Sequence, residues 1–104
     1  MTRSGPQLTR LLAWMAKRDF AELEASGLLR DVETIVVDSH RRLYEAEHRP
    51  WSAPVAYRWL RYEDPLPIDR LSEGVKRLRR RGAGFDPVAV EKACEKASAS
   101  GFSN

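Results

Sequence analysis

Apolar residues recur every three or four positions through most of the chain, which is the spacing of amphipathic α-helices. The first such stretch begins near Pro6, a residue suited to a first helical turn. The aligned apolar side chains of this stretch are Leu8, Leu11, Leu12 and Met15. A first helix is therefore predicted here, with a bend or break near Arg18.

A second, shorter helix is predicted directly after the first. Asp19 followed by Glu22 resembles a capping box, in which a side-chain acceptor covers the free amides of a first turn. Gly27 is suited to the left-handed conformation that ends many helices. The short helix is therefore expected to extend through Ser26.

The stretch from Asp31 to about His48 has two interpretations. The run TIVV (34–37) is β-branched, as a strand would be, yet Val32, Ile35 and Val36 follow helical spacing. No second strand candidate exists to pair with this run, and a lone strand would leave its backbone groups unmatched. One helix is preferred, and a start as a strand remains the alternative.

Proline and potential capping residues divide the second half of the chain. Arg49-Pro50 ends the preceding helix, because the residue before proline avoids the α region. Ser52 is then expected to cap a helix that continues to about Tyr62. The sequence EDPLP (63–67) reads as a stiff turn.

Two more helices are predicted after that turn. Four apolar residues spaced three, four and three positions apart predict a helix that ends at Gly82. These residues are Ile68, Leu71, Val75 and Leu78. Asp86-Pro87 then opens a last helix that frays before Gly101, with Phe85 and Val90 spaced as a hydrophobic staple.

These elements predict an all-α, compact bundle of about five short helices. A helix-turn-helix formed by two of these helices is compatible with this prediction. No repeat, low-complexity segment or long linker divides the chain. We expect a single domain over residues 1–104, with loosely ordered ends at about 1–5 and 99–104.

Composition narrows the class of protein. Apolar residues make up 42% and charged residues 32% of the 104 positions, which is typical of a soluble globular domain. No apolar run is long enough to cross a membrane or to form a signal-peptide core. Cys94 is the single cysteine, so neither an internal disulfide nor a cysteine cluster for zinc can form. A cytoplasmic location is expected.

Few residues suggest catalysis or metal binding. His40 and His48 lie eight positions apart, or about 12 Å along a helix, which is too far to share one metal ion directly. They are expected at the solvated surface, and Cys94 as a small buried side chain. The glycine-containing loop RGAGF (81–85) lacks the Lys-Ser/Thr that follows a phosphate-binding loop. Neither an enzymatic activity nor a metal or cofactor is therefore predicted.

Basic helix faces are the remaining signal. The formal charge is +3, and residues 76–81 carry five cations in six positions. In the helix after Ser52, Tyr57, Arg58 and Arg61 lie on the side opposite the apolar arc that includes Trp59. In the helix after the EDPLP turn, Arg70, Arg77 and Arg81 lie together opposite the apolar stripe, and Lys76 and Arg80 flank them. The predicted nucleic-acid-binding residues are Tyr57, Arg58, Arg61, Arg70, Lys76, Arg77, Arg80 and Arg81.

The segment ending in Tyr57-Arg58-Trp59-Leu60-Arg61 resembles the recognition helix of helix-turn-helix proteins of the excisionase and MerR-like kind. Ala46 would stand in the first helix of that motif and Ser52 at the cap. The likeness covers some 18 residues, and Pro50 takes the place of the turn glycine. It implies a DNA-binding function for this segment.

Two functions follow from these residues. The first is a small regulator of transcription that binds duplex DNA through the basic helices. The second is a protein-interaction module that meets an acidic protein surface, with Trp14 and Trp51 as exposed anchors. A homodimer is compatible with both. The DNA hypothesis requires Tyr57, Arg58 and Arg61 to share a surface with the arginines of the following helix.

Overall fold

The computed structural model describes residues 4–61 and 67–103, and this part of the chain forms six α-helices and no strand. The helices are α1 (Ser4–Met15), α2 (Phe20–Ala25), α3 (Leu28–Ala46), α4 (Ala53–Leu60), α5 (Ile68–Arg80) and α6 (Pro87–Ser98). The predicted all-α fold is confirmed. The sixth helix is α2, the short segment predicted after Asp19.

The described ends of the chain are packed. Ser4 and Gly5 already belong to α1 and are buried, although the sequence suggested loose structure up to residue 5. At the other end Phe102 is buried, and its ring meets the edge of the Trp14 ring at a centroid distance of 5.6 Å. Phe102 is therefore part of the core, and the described start of α1 is packed against the rest of the molecule.

The predicted break between the first two helices is present. α1 ends at Met15, and the Asp19 carboxylate accepts a hydrogen bond from the Ala21 amide at 3.0 Å, which caps α2. Gly27, with a φ of 81°, separates α2 from α3 in the left-handed conformation expected of it. The alternative that residues 34–37 form a strand is wrong, since they lie within α3.

α4 is shorter than predicted within the described residues. It ends at Leu60, and Arg61 follows with a φ of 56°. Ser52 stands at the N-cap position as predicted, but its side chain makes no capping hydrogen bond. The predicted helix end at Tyr62 and the first four residues of the EDPLP turn lie outside the described residues.

The last two helices match their predicted bounds. α5 carries its apolar stripe inward, with Leu71, Val75 and Leu78 buried. Asp86 caps α6, because its carboxylate accepts hydrogen bonds from the Val88 and Ala89 amides at 3.1 and 3.4 Å.

α3 is the central element of the bundle. It packs against α2, α4, α5 and α6, and α1 lies across α5 and α6. Its buried residues include Val32, Ile35 and Val36, which contribute to a single apolar core with α1, α5 and α6. In the described ranges, no helix combines the length and the apolarity needed to span a bilayer.

The connection between α3 and α4 runs through residues 47–52. A helix-turn-helix joins its two helices with a turn of about three or four residues, so this connection is longer. It contains His48 in a left-handed conformation, with a φ of 56°, and Pro50. The path of this connection brings Trp51 back onto the end of α3.

Candidate nucleic-acid interface

His40 lies at the centre of an aromatic cluster at the C-terminal half of α3. Its side chain is fully buried, and its ring packs against those of Tyr44 and Trp59 in a tilted arrangement, each at a centroid distance of 4.6 Å. The Trp51 Nε1–H donates a hydrogen bond to His40 Nδ1 at 3.0 Å. The expectation of a solvated His40 is therefore wrong, whereas His48 is exposed as expected.

The hydrogen bond from Trp51 determines the tautomer of His40. Since Nδ1 accepts, the neutral ring carries its proton on Nε2. That Nε2 atom is buried and has no hydrogen-bond partner in the structure. Burial lowers the pKa of His40, and the nearby positive charges of Arg81, Arg49 and Arg77 lower it further, so the ring is held neutral.

Two of these arginines are fixed on aromatic rings of the cluster. The Arg77 guanidinium lies 4.1 Å from the centroid of the Trp59 ring and donates to the Trp59 carbonyl oxygen at 3.2 Å. The Arg49 guanidinium lies 4.0 Å from the Tyr44 centroid and donates to its hydroxyl at 3.2 Å. Each stacked guanidinium is thereby held in place, with N–H groups left for another acceptor.

Glu47 links the third arginine to this group. Its carboxylate pairs with Arg49 at 3.2 Å and with Arg81 at 2.8 Å. The hydrogen bond from Arg49 and the charge of Arg81 lower the pKa of Glu47. One carboxylate therefore stands between two guanidinium groups and holds them on the same side of the molecule.

A shallow depression at the junction of α4 and α5 extends the positive surface. Its lining includes Arg61, Arg70 and Arg77, together with Glu73 and Gly74. The two helices approach closely here because residue 74 is a glycine. A Cβ atom at that position would lie 2.6 Å from a terminal methyl carbon of Leu60.

These arginines form one continuous group, which we call the arginine row. Arg77 links the depression to the aromatic cluster, and Glu47 links Arg49 to Arg81. The row outnumbers its two interspersed carboxylates, Glu47 and Glu73, by three charges, which equals the formal charge of +3 of the whole chain. The row comprises Arg49, Arg61, Arg70, Arg77 and Arg81.

The structure only partly unites the residues predicted for nucleic-acid binding. Arg61 lies beside Arg70 and Arg77, as the DNA hypothesis requires. Tyr57 instead lines a cleft on α3 with Arg30, Val37 and Trp51. Arg81 pairs with Glu47, and the other three predicted residues, Arg58, Lys76 and Arg80, are exposed and pair with no described carboxylate.

The orientation of the α5 arginines also differs from the prediction. Arg70, Arg77 and Arg81 were expected opposite the apolar stripe, but Arg77 and Arg81 lie on the flank that faces α4 and the end of α3. The helical wheel aligned them correctly with one another. Their neighbours on α3 and α4 could not be obtained from the wheel.

Sequence reasoning missed Arg49 and His40 as parts of this site. A signal for His40 was present, because it continues the helical spacing of Val32, Val36 and Leu43 along the apolar face of α3. Arg49 carried no such signal, since its position depends on the path of residues 47–52.

The two candidate anchor tryptophans are half-buried. Trp51 is held by its hydrogen bond to His40. Trp14 packs on Phe102, and the Arg18 guanidinium lies 4.8 Å from its ring centroid. Both rings therefore have structural contacts within the chain.

Groups typical of metal sites are absent from the described ranges, where no three His, Cys, Asp or Glu side chains converge. Cys94 is buried, as expected, and burial raises the pKa of its thiol. Comparisons of the chain with protein-family models, curated proteins and solved structures returned no match. The arginine row is thus interpreted from its own geometry.

Proposed function

We propose that this protein binds duplex DNA and contacts the phosphate backbone through the arginine row. The observation that carries the proposal is the concentration of charge. Together with Glu47 and Glu73, the row has a net charge equal to that of the whole chain, and it occupies one connected surface around α3, α4 and α5. Neutralisation of phosphates by such a surface supplies most of the affinity of non-specific DNA binding.

The guanidinium geometry supports phosphate as the ligand. Arginine presents planar, paired N–H donors that match two oxygens of one phosphate group. Arg77 and Arg49 are already held on Trp59 and Tyr44, so less side-chain entropy is lost when they bind. These two residues are therefore the proposed central contacts.

A regulatory role in transcription requires preference for a base sequence in addition to backbone contact. Arg58 is the residue of α4 proposed for this task, since it is exposed and arginine can donate to guanine in the major groove. Lys76 and Arg80, on the outer side of α5, would add contacts to neighbouring phosphates.

Fluorescence anisotropy with a short labelled duplex at low salt tests the proposal. We expect micromolar binding that Arg77→Ala and Arg81→Ala each weaken by about tenfold, as loss of one charge-assisted contact predicts. Arg77→Lys should retain more affinity than Arg77→Ala, because it keeps the charge. Lys17→Ala is the matched control, since Lys17 is exposed at the end of α1 and outside the row.

Two results would contradict the proposal. One is protein that binds no duplex at micromolar concentration in low salt. The other is a stoichiometric complex with an acidic protein that survives nuclease treatment and requires Arg77, which would favour the interaction module instead. Thermal unfolding of each variant must match wild type, because Arg77 also packs on Trp59.

A further inference from the structure

The Glu47 carboxylate lies between two guanidinium groups of the arginine row. Its Oε1 atom accepts a hydrogen bond from Arg49 at 3.2 Å, and its Oε2 atom accepts one from Arg81 at 2.8 Å. Within residues 4–61 and 67–103, no third side chain donates to this carboxylate. Each oxygen therefore binds a different arginine, and the two guanidinium groups converge on one small anion.

A phosphate group is recognised by the same chemistry as this carboxylate. Both present oxygens that accept charge-assisted hydrogen bonds from guanidinium N–H groups, and both match the geometry of those groups. Each phosphate of a DNA backbone carries one negative charge, so it would replace the charge of Glu47 without leaving either arginine uncompensated. The carboxylate bound between the two arginines thus indicates the kind of ligand that they fit.

The surroundings of Glu47 are strongly positive. Arg77 lies close to the same group, since its charge, like those of the other two arginines, lowers the pKa of the buried His40 ring. Arg49 is also held by the ring and hydroxyl of Tyr44, so its position does not depend on Glu47. Three cations therefore surround one carboxylate, and they favour any anion that takes its place.

The Glu47 side chain can move away while its backbone stays fixed. Glu47 is the C-cap of α3, and its amide donates to the Leu43 carbonyl oxygen. Its side chain is 36% exposed, and exposed ion pairs are weak because water competes for both partners. A phosphate can therefore displace the carboxylate without disturbing the helix.

We infer that Arg49 and Arg81 form a subsite for one phosphate group, which Glu47 fills in the free protein and leaves when the ligand binds. This subsite rests on the proposed function for the source of its phosphate, the DNA backbone. It adds a form of regulation to that function, because Glu47 competes with the ligand and lowers its affinity.

Fluorescence anisotropy with the labelled duplex at one salt concentration tests the competition. Glu47→Gln should increase affinity by about fivefold, as the loss of two exposed ion pairs predicts. Glu73→Gln is the matched control, since Glu73 lies on the same surface and forms no ion pair with a described residue. It should gain about twofold at most, because its charge acts only through solvent. Equal gains in the two variants would overturn the inference.

NMR of the arginine side-chain Nε–H signals tests the subsite directly. Inorganic phosphate, added at constant ionic strength against chloride, should shift the signals of Arg49 and Arg81, and more strongly in Glu47→Gln than in Glu73→Gln. The duplex should shift the same two signals in the wild-type chain, which tests the subsite without any substitution.

The two probes separate this inference from the proposed function. Phosphate that shifts both signals in a chain that binds no duplex would support the subsite and contradict DNA binding. A duplex that binds without shifting either signal would overturn the subsite and leave DNA binding intact. Thermal unfolding of both glutamine variants provides the check that the fold is unchanged.

Discussion

His40 is a buried imidazole whose two nitrogens have different surroundings. Nδ1 accepts from Trp51, and Nε2 is buried without a partner. Protonation of Nδ1 would leave two donors, the His40 Nδ1–H and the Trp51 Nε1–H, facing each other without an acceptor. It would also place a cation beside Arg49, Arg77 and Arg81. The neutral ring is thus required for Trp51 to hold the end of the 47–52 connection on α3.

Stability should fall as the pH is lowered through the range in which His40 titrates. The pKa of His40 is lowered in the folded state, so the unfolded chain binds more protons between that lowered pKa and the ordinary value of about 6.5. The contribution of the neutral His40 ring to the free energy of unfolding is therefore complete above about pH 6.5. It is lost as the pH falls towards the folded-state pKa of His40. Urea unfolding at a series of pH values measures it.

Two histidine variants separate this effect from general acid sensitivity. His40→Gln should lower the free energy of unfolding at neutral pH and flatten its dependence on pH between 5 and 7. His48→Gln, at an exposed position, should keep the wild-type pH dependence. An unchanged pH dependence in His40→Gln would show that other groups are responsible.

At the scale of helices, periodicity predicted most of the fold because the inward faces of α1, α3 and α5 are continuous apolar stripes. Caps were less certain, since they depend on side-chain conformation as well as residue type. Asp86 and Ser52 both occupy N-cap positions, but only the Asp86 side chain makes a capping hydrogen bond. Sequence alone could not separate the two.

This difference between caps predicts unequal effects of alanine. Asp86→Ala removes an acceptor for two amides of α6 and should lower the free energy of unfolding by about 1 kcal/mol. Ser52→Ala removes no capping bond and should change it by less than about 0.5 kcal/mol. Chemical denaturation of both variants compares them, and equal losses would contradict the observed cap geometry.

Gly74 determines how closely α4 approaches α5. Gly74→Ala gains about 1 kcal/mol of helix propensity, but its Cβ would lie 2.6 Å from the buried Leu60 methyl carbon. Overpacking typically costs 1–3 kcal/mol, so we expect a net loss of stability. In a Leu60→Ala background, the clash is absent and Gly74→Ala should become stabilising. A double-mutant cycle in urea measures this change of sign.

The candidate site was less predictable than the helices. Helical spacing correctly aligned Arg70 with Arg77, because both lie on one element. It could not show that Tyr57 faces α3 or that Arg81 pairs with Glu47, since those contacts join elements far apart in sequence. The missing information is the relative placement of α3, α4 and α5, which tertiary packing determines.

At the scale of the whole molecule, the distribution of charge matters more than its total. A formal charge of +3 is modest for 104 residues, yet the arginine row together with Glu47 and Glu73 carries an equal net charge on one connected surface. Electrostatic attraction by such a surface orients the protein on a polyanion and decreases with added salt.

The salt dependence of DNA affinity can distinguish this oriented contact from attraction by net charge. The logarithm of the association constant should fall with the logarithm of salt concentration with a slope of about −4.5 if the five arginines of the row contact phosphates, and more steeply if Lys76 and Arg80 add phosphate contacts. Arg61→Ala and Arg70→Ala should each reduce that slope by about one. Lys17→Ala removes the same charge outside the row and should preserve the slope. If all three variants reduce it equally, net charge alone drives binding and the row has no special role.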